Sequence, residues 1–162
     1  MKKLGIYIHI PFCSGKCGYC SFVSGTDFSI MPRYHKRVLE SIVSHGKEFQ
    51  NYIVDSIYFG GGTPSVYFEG GIAEILKAAR GNFSVAEDCE ITAEANPESL
   101  TKDKAQEWQE CGINRVSLGL QTLNEKLLKV IGRRHGANDF FKAYQNIVSS
   151  GIGNISADVM LI

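Results

Sequence analysis

Apolar residues along the chain fall into two alternating rhythms, and the alternation between them predicts the architecture. Short dense runs of apolar and β-branched residues mark strands. Spacings of three and four mark helices buried on one face. Ile6 to Phe12 reads as a strand that empties into a loop at Pro11. A helix is expected from about Met31-Pro32, because proline suits the first helical turn, with Val38, Leu39, Ile42 and Val43 as its apolar stripe and Gly46 near its end. Its His35 and His45 are expected on the exposed side. Val54 to Phe59 is a buried strand, and Ile72, Ile75, Leu76 and Ala79 define a helix that stops at Gly81. The strict alternation of Glu90 to Glu94 gives a strand with two unlike faces, broken by Asn96-Pro97. Thr101 is an N-cap for a helix through Cys111 that Gly112 closes. Arg115 to Gln121 is a fourth strand, and a short helix near Glu125 to Ile131 follows it. A longer helix is capped at Asn138 or Asp139, buries Phe140, Tyr144, Ile147 and Val148, and ends at Gly151. Asn154 to Ile162 is a fifth strand.

Five strand–helix alternations without a hairpin signal predict βα crossovers and a parallel sheet, hence an α/β fold. Five units are too few to close an eight-stranded barrel, so a partial TIM-type barrel is expected. In such folds the working residues gather at the C-terminal ends of the strands.

Each of those ends carries something polar or unusual. After the first strand comes Cys13-Ser14-Gly15-Lys16-Cys17-Gly18-Tyr19-Cys20, three thiols within eight residues. The C-x3-C-x2-C spacing is neither the four-cysteine run of ferredoxins nor a pair of C-x2-C zinc arms, both of which fill the metal's shell. Three thiolates on a [4Fe-4S] cluster leave the fourth iron open to a small molecule. A zinc site completed by His9 or His35, or three metal-free thiols, stand as alternatives. The second end is Gly60-Gly61-Gly62-Thr63-Pro64, where glycine lets backbone approach a ligand. No Gly-Lys-Ser/Thr follows, so the phosphate-loop reading fails. The third end is Glu94, an inward carboxylate that needs either a cationic or hydroxylic ligand or a neighbouring Lys or Arg. The fourth is Gln121, followed by Gly132-Arg133-Arg134-His135, whose arginines either grip a ligand carboxylate or form a solvated face. Asp158 lies on the fifth strand amid apolar residues. Cys89 and Cys111 read as buried small hydrophobes outside the cluster.

Composition narrows the role further. The 162 residues suffice for one domain with a substantial core. Lys+Arg and Asp+Glu are equal at 17 each, so no global field favours nucleic acid or an anionic membrane. No stretch is long enough to span a bilayer, and a cytoplasmic location is expected, where clustered cysteines serve metal or redox chemistry.

Taken in order, Tyr7-Ile8-His9-Ile10-Pro11-Phe12-Cys13, the C-x3-C-x-Tyr-C loop, Phe59-Gly60-Gly61-Gly62-Thr63-Pro64-Ser65, Glu94-Ala95-Asn96-Pro97, Ser117-Leu118-Gly119-Leu120-Gln121, Gly132-Arg133-Arg134-His135 and Asn154-Ile155-Ser156-Ala157-Asp158 resemble the radical S-adenosylmethionine (SAM) superfamily. The branch they resemble is that of oxygen-independent coproporphyrinogen III oxidase (HemN) and the haem chaperone HemW. The resemblance implies a (βα)6-type partial barrel over residues 1–162, incomplete at its C-terminus because the family continues into further strands and another domain. It implies a [4Fe-4S] cluster on Cys13, Cys17 and Cys20, with SAM on the fourth iron and SAM contacts from Tyr7, Gly61 and Glu94. It further implies a second-SAM site at Tyr19, Gly62, Thr63, Gln121, Arg133 and Asp158, and one-electron cleavage of SAM to methionine and a 5′-deoxyadenosyl radical. Haem or a porphyrinogen, an electron donor and a haem-acceptor protein are the implied partners. Phe22 stands where the oxidases carry an additional cysteine, which points to the chaperone branch.

Overall fold

The computed structural model describes residues 2–161. Its strands are β1 (Lys2–Ile10), β2 (Tyr52–Gly61), β3 (Ser84–Ala95), β4 (Arg115–Gln121) and β5 (Asn154–Val159). They form one sheet in sequential order, and every neighbouring pair is parallel. The helices are α1 (Met31–Gly46), α2 (Gly71–Asn82), α3 (Lys102–Cys111), α4 (Glu125–Val130) and α5 (Ala137–Ser150). The last two share the crossover between β4 and β5. The expected α/β partial barrel is therefore observed, with the first four strands each followed by helix.

Alternation along each strand splits the sheet into two chemistries. Ile8, Ile10, Ile57, Phe59, Ile91, Ala93, Val116 and Leu118 are buried and join Trp108, Ile72, Ile75, Leu76, Phe140 and Ile147 of the helices in one core. The alternate residues, among them Tyr7, Tyr58, Thr92, Glu94, Ser117 and Asp158, face the other way. At about 25 cal/mol per Å2 of apolar surface, burying each large side chain of the first set contributes roughly 1.5–3 kcal/mol, so the helix-covered face holds the fold. Asp55 is the extra residue of a bulge: Leu4 pairs with Val54 while Gly5 pairs with Ser56. That insertion puts Val54 and Ile57 in the same core.

Several expectations are corrected here. β2 and β3 are longer than expected, since β3 begins at Ser84, with Ser84 paired to Ile53 and Val85 to Val54. α2 runs one residue past Gly81 to Asn82. α5 is capped by Gly136 rather than Asn138 or Asp139, and the Asp139 carboxylate accepts the Gly136 N–H at 2.8 Å. Ala143 takes the inward position on that helix, leaving Tyr144 and Val148 exposed, and Val43 of α1 is likewise exposed. His35 is not on the surface: it is 8 % exposed, with Nδ1 3.1 Å from the Tyr67 hydroxyl and Nε2 2.9 Å from Glu74. Helical spacing could not show that α2 and the Tyr67 segment supply polar partners for it. His45 is exposed as expected. β5 ends at Val159, and Ile162 of the expected fifth strand lies outside the described residues. Cys89 is buried, whereas Cys111 is only partly so.

Candidate functional site: a three-cysteine cleft at the strand ends

All three loop cysteines open into one cleft of about 250 Å3 at the C-terminal ends of the strands. The loop is held from three sides. Cys13 N donates to Gly25 O at 2.9 Å and Gly25 N returns the bond to Pro11 O at 2.9 Å, which staples the loop's exit to its entry. Lys16 Nζ donates to Phe22 O at 2.6 Å and Ser24 Oγ at 3.0 Å. From across the sheet, Ile131 O accepts from Gly18 N at 3.1 Å, and the Arg134 guanidinium donates to Ser14 O. The second strand end packs beneath the loop. A Cβ at Gly62 would lie 2.6 Å from Ile10 O and 2.7 Å from Phe12 O, and one at Gly61, whose φ is +105°, would run into the His9 ring. The triple glycine therefore serves first to let the chain pass close under β1 and the cysteine loop. The sequence alone suggests access for a ligand.

The electrostatics suit a cationic occupant. Burial raises the Cys17 thiol above its ordinary range, the Arg133 charge lowers it, and Cys20, Cys13 and Glu98 raise it further. Cys13 and Cys20 thus work against the ionisation of Cys17, a like-charge conflict that a bound metal centre would neutralise. Among the described residues no three Cys, His, Asp or Glu side chains converge tightly enough for a single metal ion. A multi-iron cluster places its thiolates on different irons and does not require that convergence. The histidines available to a zinc site are also committed. His9 Nε2 lies 2.7 Å from Val23 O with Nδ1 3.2 Å from Tyr7 Oη, and both His35 nitrogens have partners in the core. The residues present fit an open three-thiolate cluster better than zinc.

Opposite the cysteines stands Glu94. Its Oε1 accepts from Tyr58 Oη at 2.9 Å and its Oε2 from Gly61 N at 3.1 Å. Burial, and then the bond to Glu94, raise the Tyr58 phenol well above its usual range, so it stays a donor. Among the described residues no Lys or Arg pairs with Glu94, which disposes of the salt bridge expected as one alternative. A carboxylate has about four lone-pair positions, so two remain for a ligand's amine or hydroxyls.

Most of the other anticipated residues meet in the same cleft: Tyr19, Gly61, Gly62, Thr63, Gln121, Arg133 and Asp158 all line it. Tyr7 does not. It sits lower on β1, 56 % exposed and stacked on Tyr58 with ring centroids 6.0 Å apart. Gln121 is buried with φ +63°, the sole non-glycine residue with positive φ among the described ones, a strained conformation of the kind that collects at functional sites. Asp158 is exposed on β5 and accepts from Ser117 Oγ at 2.9 Å, so it is not a buried charge. Arg133 and Arg134 both bond to protein groups, although Arg134 stays exposed. Arg134 holds the cysteine loop, while Arg133 lies over the Tyr19 ring at 5.9 Å and donates to Asn96 Oδ1 at 2.7 Å. Asn96, a strand breaker within the Glu94-Ala95-Asn96-Pro97 motif, also stands between Arg133 and Thr63, a position that neither its spacing nor its type signals. His135, 3 % exposed, bridges Leu120 O at 3.3 Å and Glu98 at 3.5 Å, anchoring the arginine segment.

Comparison with known proteins agrees with this fold. A family model described as the Radical SAM superfamily matches residues 7–162. The haem chaperone HemW of Escherichia coli K12 is 35 % identical over 162 residues, covering 99 % of this chain and 43 % of the relative. The mitochondrial radical S-adenosyl methionine domain-containing protein 1 of Bos taurus is 30 % identical, covering 99 % of this chain and 36 % of the relative. This chain thus spans less than half the length of these relatives. Among solved structures, the coproporphyrinogen III oxidase HemN of E. coli, described as a radical SAM enzyme, superposes with a TM-score of 0.90 at 26 % identity, covering 98 % of this chain and 37 % of that one.

Proposed function

Because the chain belongs to the radical SAM superfamily, whose cofactors are a [4Fe-4S] cluster and SAM, we propose that it is the core of a haem chaperone of the HemW kind. One observation carries the reading: the three thiols and the hydrogen-bonded Glu94 carboxylate open into the same cleft at the strand ends. Cys13, Cys17 and Cys20 hold the cluster. Glu94, fixed by Tyr58 and the Gly61 amide, receives the SAM amine or ribose hydroxyls, with the Gly61 backbone beside it; Tyr7, outside the cleft, supports this end only by stacking on Tyr58. Tyr19, Gly62, Thr63, Gln121, Arg133 and Asp158 form the wall where a second SAM fits. The bound pair supplies one-electron reductive cleavage of the SAM sulfonium, and the protein's share is to position it and exclude water.

The chaperone reading over the oxidase reading is supported by the identity to HemW and by Phe22, an exposed aromatic in the cleft wall where the oxidases place a further cysteine. Haem, an electron donor and a haem-acceptor protein are the partners this implies. Nucleic acid is not among them, given equal numbers of basic and acidic residues. No helix of the described residues is long and apolar enough to cross a membrane, and we place the protein in the cytoplasm. The test is anaerobic incubation with coproporphyrinogen III, SAM and a reductant, with haem binding measured in parallel, on the chain in the longer context its relatives have. Stable haem binding without protoporphyrinogen formation is expected. Decarboxylation with stoichiometric 5′-deoxyadenosine would make it an oxidase despite Phe22.

A further inference from the structure

One cluster cysteine is the end point of a directed hydrogen-bond chain that runs across the cleft. Arg133 Nη1 donates to Asn96 Oδ1 at 2.7 Å, and Asn96 Nδ2 lies 3.0 Å from Thr63 Oγ1. Thr63 Oγ1 in turn lies 3.4 Å from Cys13 Sγ. The directions are set by chemistry rather than by choice of rotamer. A guanidinium has donors and no acceptor, so Asn96 must turn its oxygen to Arg133, which leaves its NH2 facing Thr63. The threonine oxygen accepts that bond, and its own proton is left for the remaining neighbour, the sulfur of Cys13.

The surroundings hold each member in register. Thr63 is 3 % exposed, its N–H donates to Phe12 O at 2.8 Å, and Asn96 N donates to Ser65 Oγ at 3.1 Å. His135 and Glu98 anchor the segment that carries Arg133. The Thr63 and Asn96 side chains are thus engaged within the protein before any ligand arrives.

We propose that Arg133, Asn96 and Thr63 form a relay that fixes the Thr63 hydroxyl as a hydrogen-bond donor to the Cys13 sulfur and thereby raises the reduction potential of the cluster. This rests on the cluster reading given above. A donor at a ligating sulfur withdraws negative charge from the thiolate and favours the reduced, more negative cluster, and hydrogen bonds to the sulfurs are among the factors that tune iron–sulfur potentials. Thr63 and Asn96 are on this account positioning residues, and no bond is made or broken in their action.

The test uses the anaerobically reconstituted protein without SAM, read by iron and sulfide content, by the midpoint potential and by the coupling of exchangeable protons to the reduced cluster in ENDOR spectra. Thr63→Val keeps the shape and deletes the donor. It is expected to load a full cluster, to lose the coupling from the threonine proton, and to reduce with about a tenfold smaller equilibrium constant, ~59 mV for one electron. Thr63→Ser retains the potential. Asn96→Asp presents a carboxylate oxygen to both Arg133 and Thr63, so the threonine proton turns away from sulfur, and the same coupling disappears although Thr63 is intact. Persistence of that coupling in both Thr63→Val and Asn96→Asp, with full iron content, overturns the relay. Should Thr63→Val fail to load, the Asn96→Asp spectrum decides alone. Failure of the unaltered protein to bind iron and sulfide would instead contradict the cluster reading itself.

Discussion

The two faces of the one sheet differ more than any two elements of the molecule, although they alternate residue by residue along the same strands. The face under the helices is a continuous apolar core in which Ile10, Val54, Phe59, Ala93, Val116 and Leu118 have no measurable exposure. The opposite face is a web of polar contacts: Tyr58 to Glu94, Arg115 to Thr92 and Ser156, Ser117 to Asp158. Stability is concentrated on the first and chemistry on the second. Substitutions should separate accordingly, into those that unfold the chain and those that leave it folded but empty.

The sharpest separation is expected from the cysteines. Changing any one of Cys13, Cys17 or Cys20 to Ala removes a ligand and should abolish the cluster, read as loss of iron and acid-labile sulfide, with the apo fold retained. Cys89→Ala and Cys111→Ala should leave iron content unchanged, because Cys89 is buried on β3 and Cys111 Sγ donates to Trp108 O at 3.2 Å, away from the cleft. Cluster loss in either of these would break the assignment. The converse case is Trp108→Ala on the helix side. It empties a fully buried site and should cost about 3–5 kcal/mol in denaturant unfolding, of the size usual for large aromatic truncations.

Glu94→Gln sharpens the comparison within the polar face. It keeps the shape and removes the charge, so SAM should bind more weakly by about 1.5–3 kcal/mol, the size of a charge-assisted hydrogen bond, in calorimetry on the loaded protein. Unchanged affinity with lower thermal stability would return Glu94 to a structural role.

These predictions also mark what was legible in the sequence. The strand and helix order, the parallel sheet and the gathering of motifs at the strand ends follow from periodicities and caps that act locally. Thr101, which accepts the Lys104 N–H, and Gly112, in the left-handed region, behave as their residue types require. The misses all depend on which element lies opposite. His35 looks exposed on a helical wheel until Tyr67 and Glu74 pack against it. Ala143 displaces Tyr144 because α5 meets α3, and the Ser84-Val85 start of β3 pairs because Ile53 and Val54 of β2 are there to receive it. Asn96 carries no local signal, since its importance lies in Arg133, 37 residues away.

A smaller effect concerns the Glu98–His135 contact beside the Arg133 segment. Burial by itself would raise the Glu98 carboxyl, but His135 at 3.5 Å, a backbone hydrogen bond and the Arg133 charge outweigh it and hold the group below its ordinary range. A carboxylate lowered in the folded state stabilises fully above its unfolded value of 4.5, and that contribution disappears as pH falls through the folded value. Glu98→Gln should therefore reduce stability by about 1 kcal/mol at neutral pH and by less in acid, measured by urea unfolding at both pH values.

The most direct test of the central claim is the inorganic content of the protein after anaerobic reconstitution with iron and sulfide. Three thiolates in one cleft predict a [4Fe-4S] cluster, about four irons and four sulfides per chain. Stoichiometric zinc with no acid-labile sulfide would contradict it.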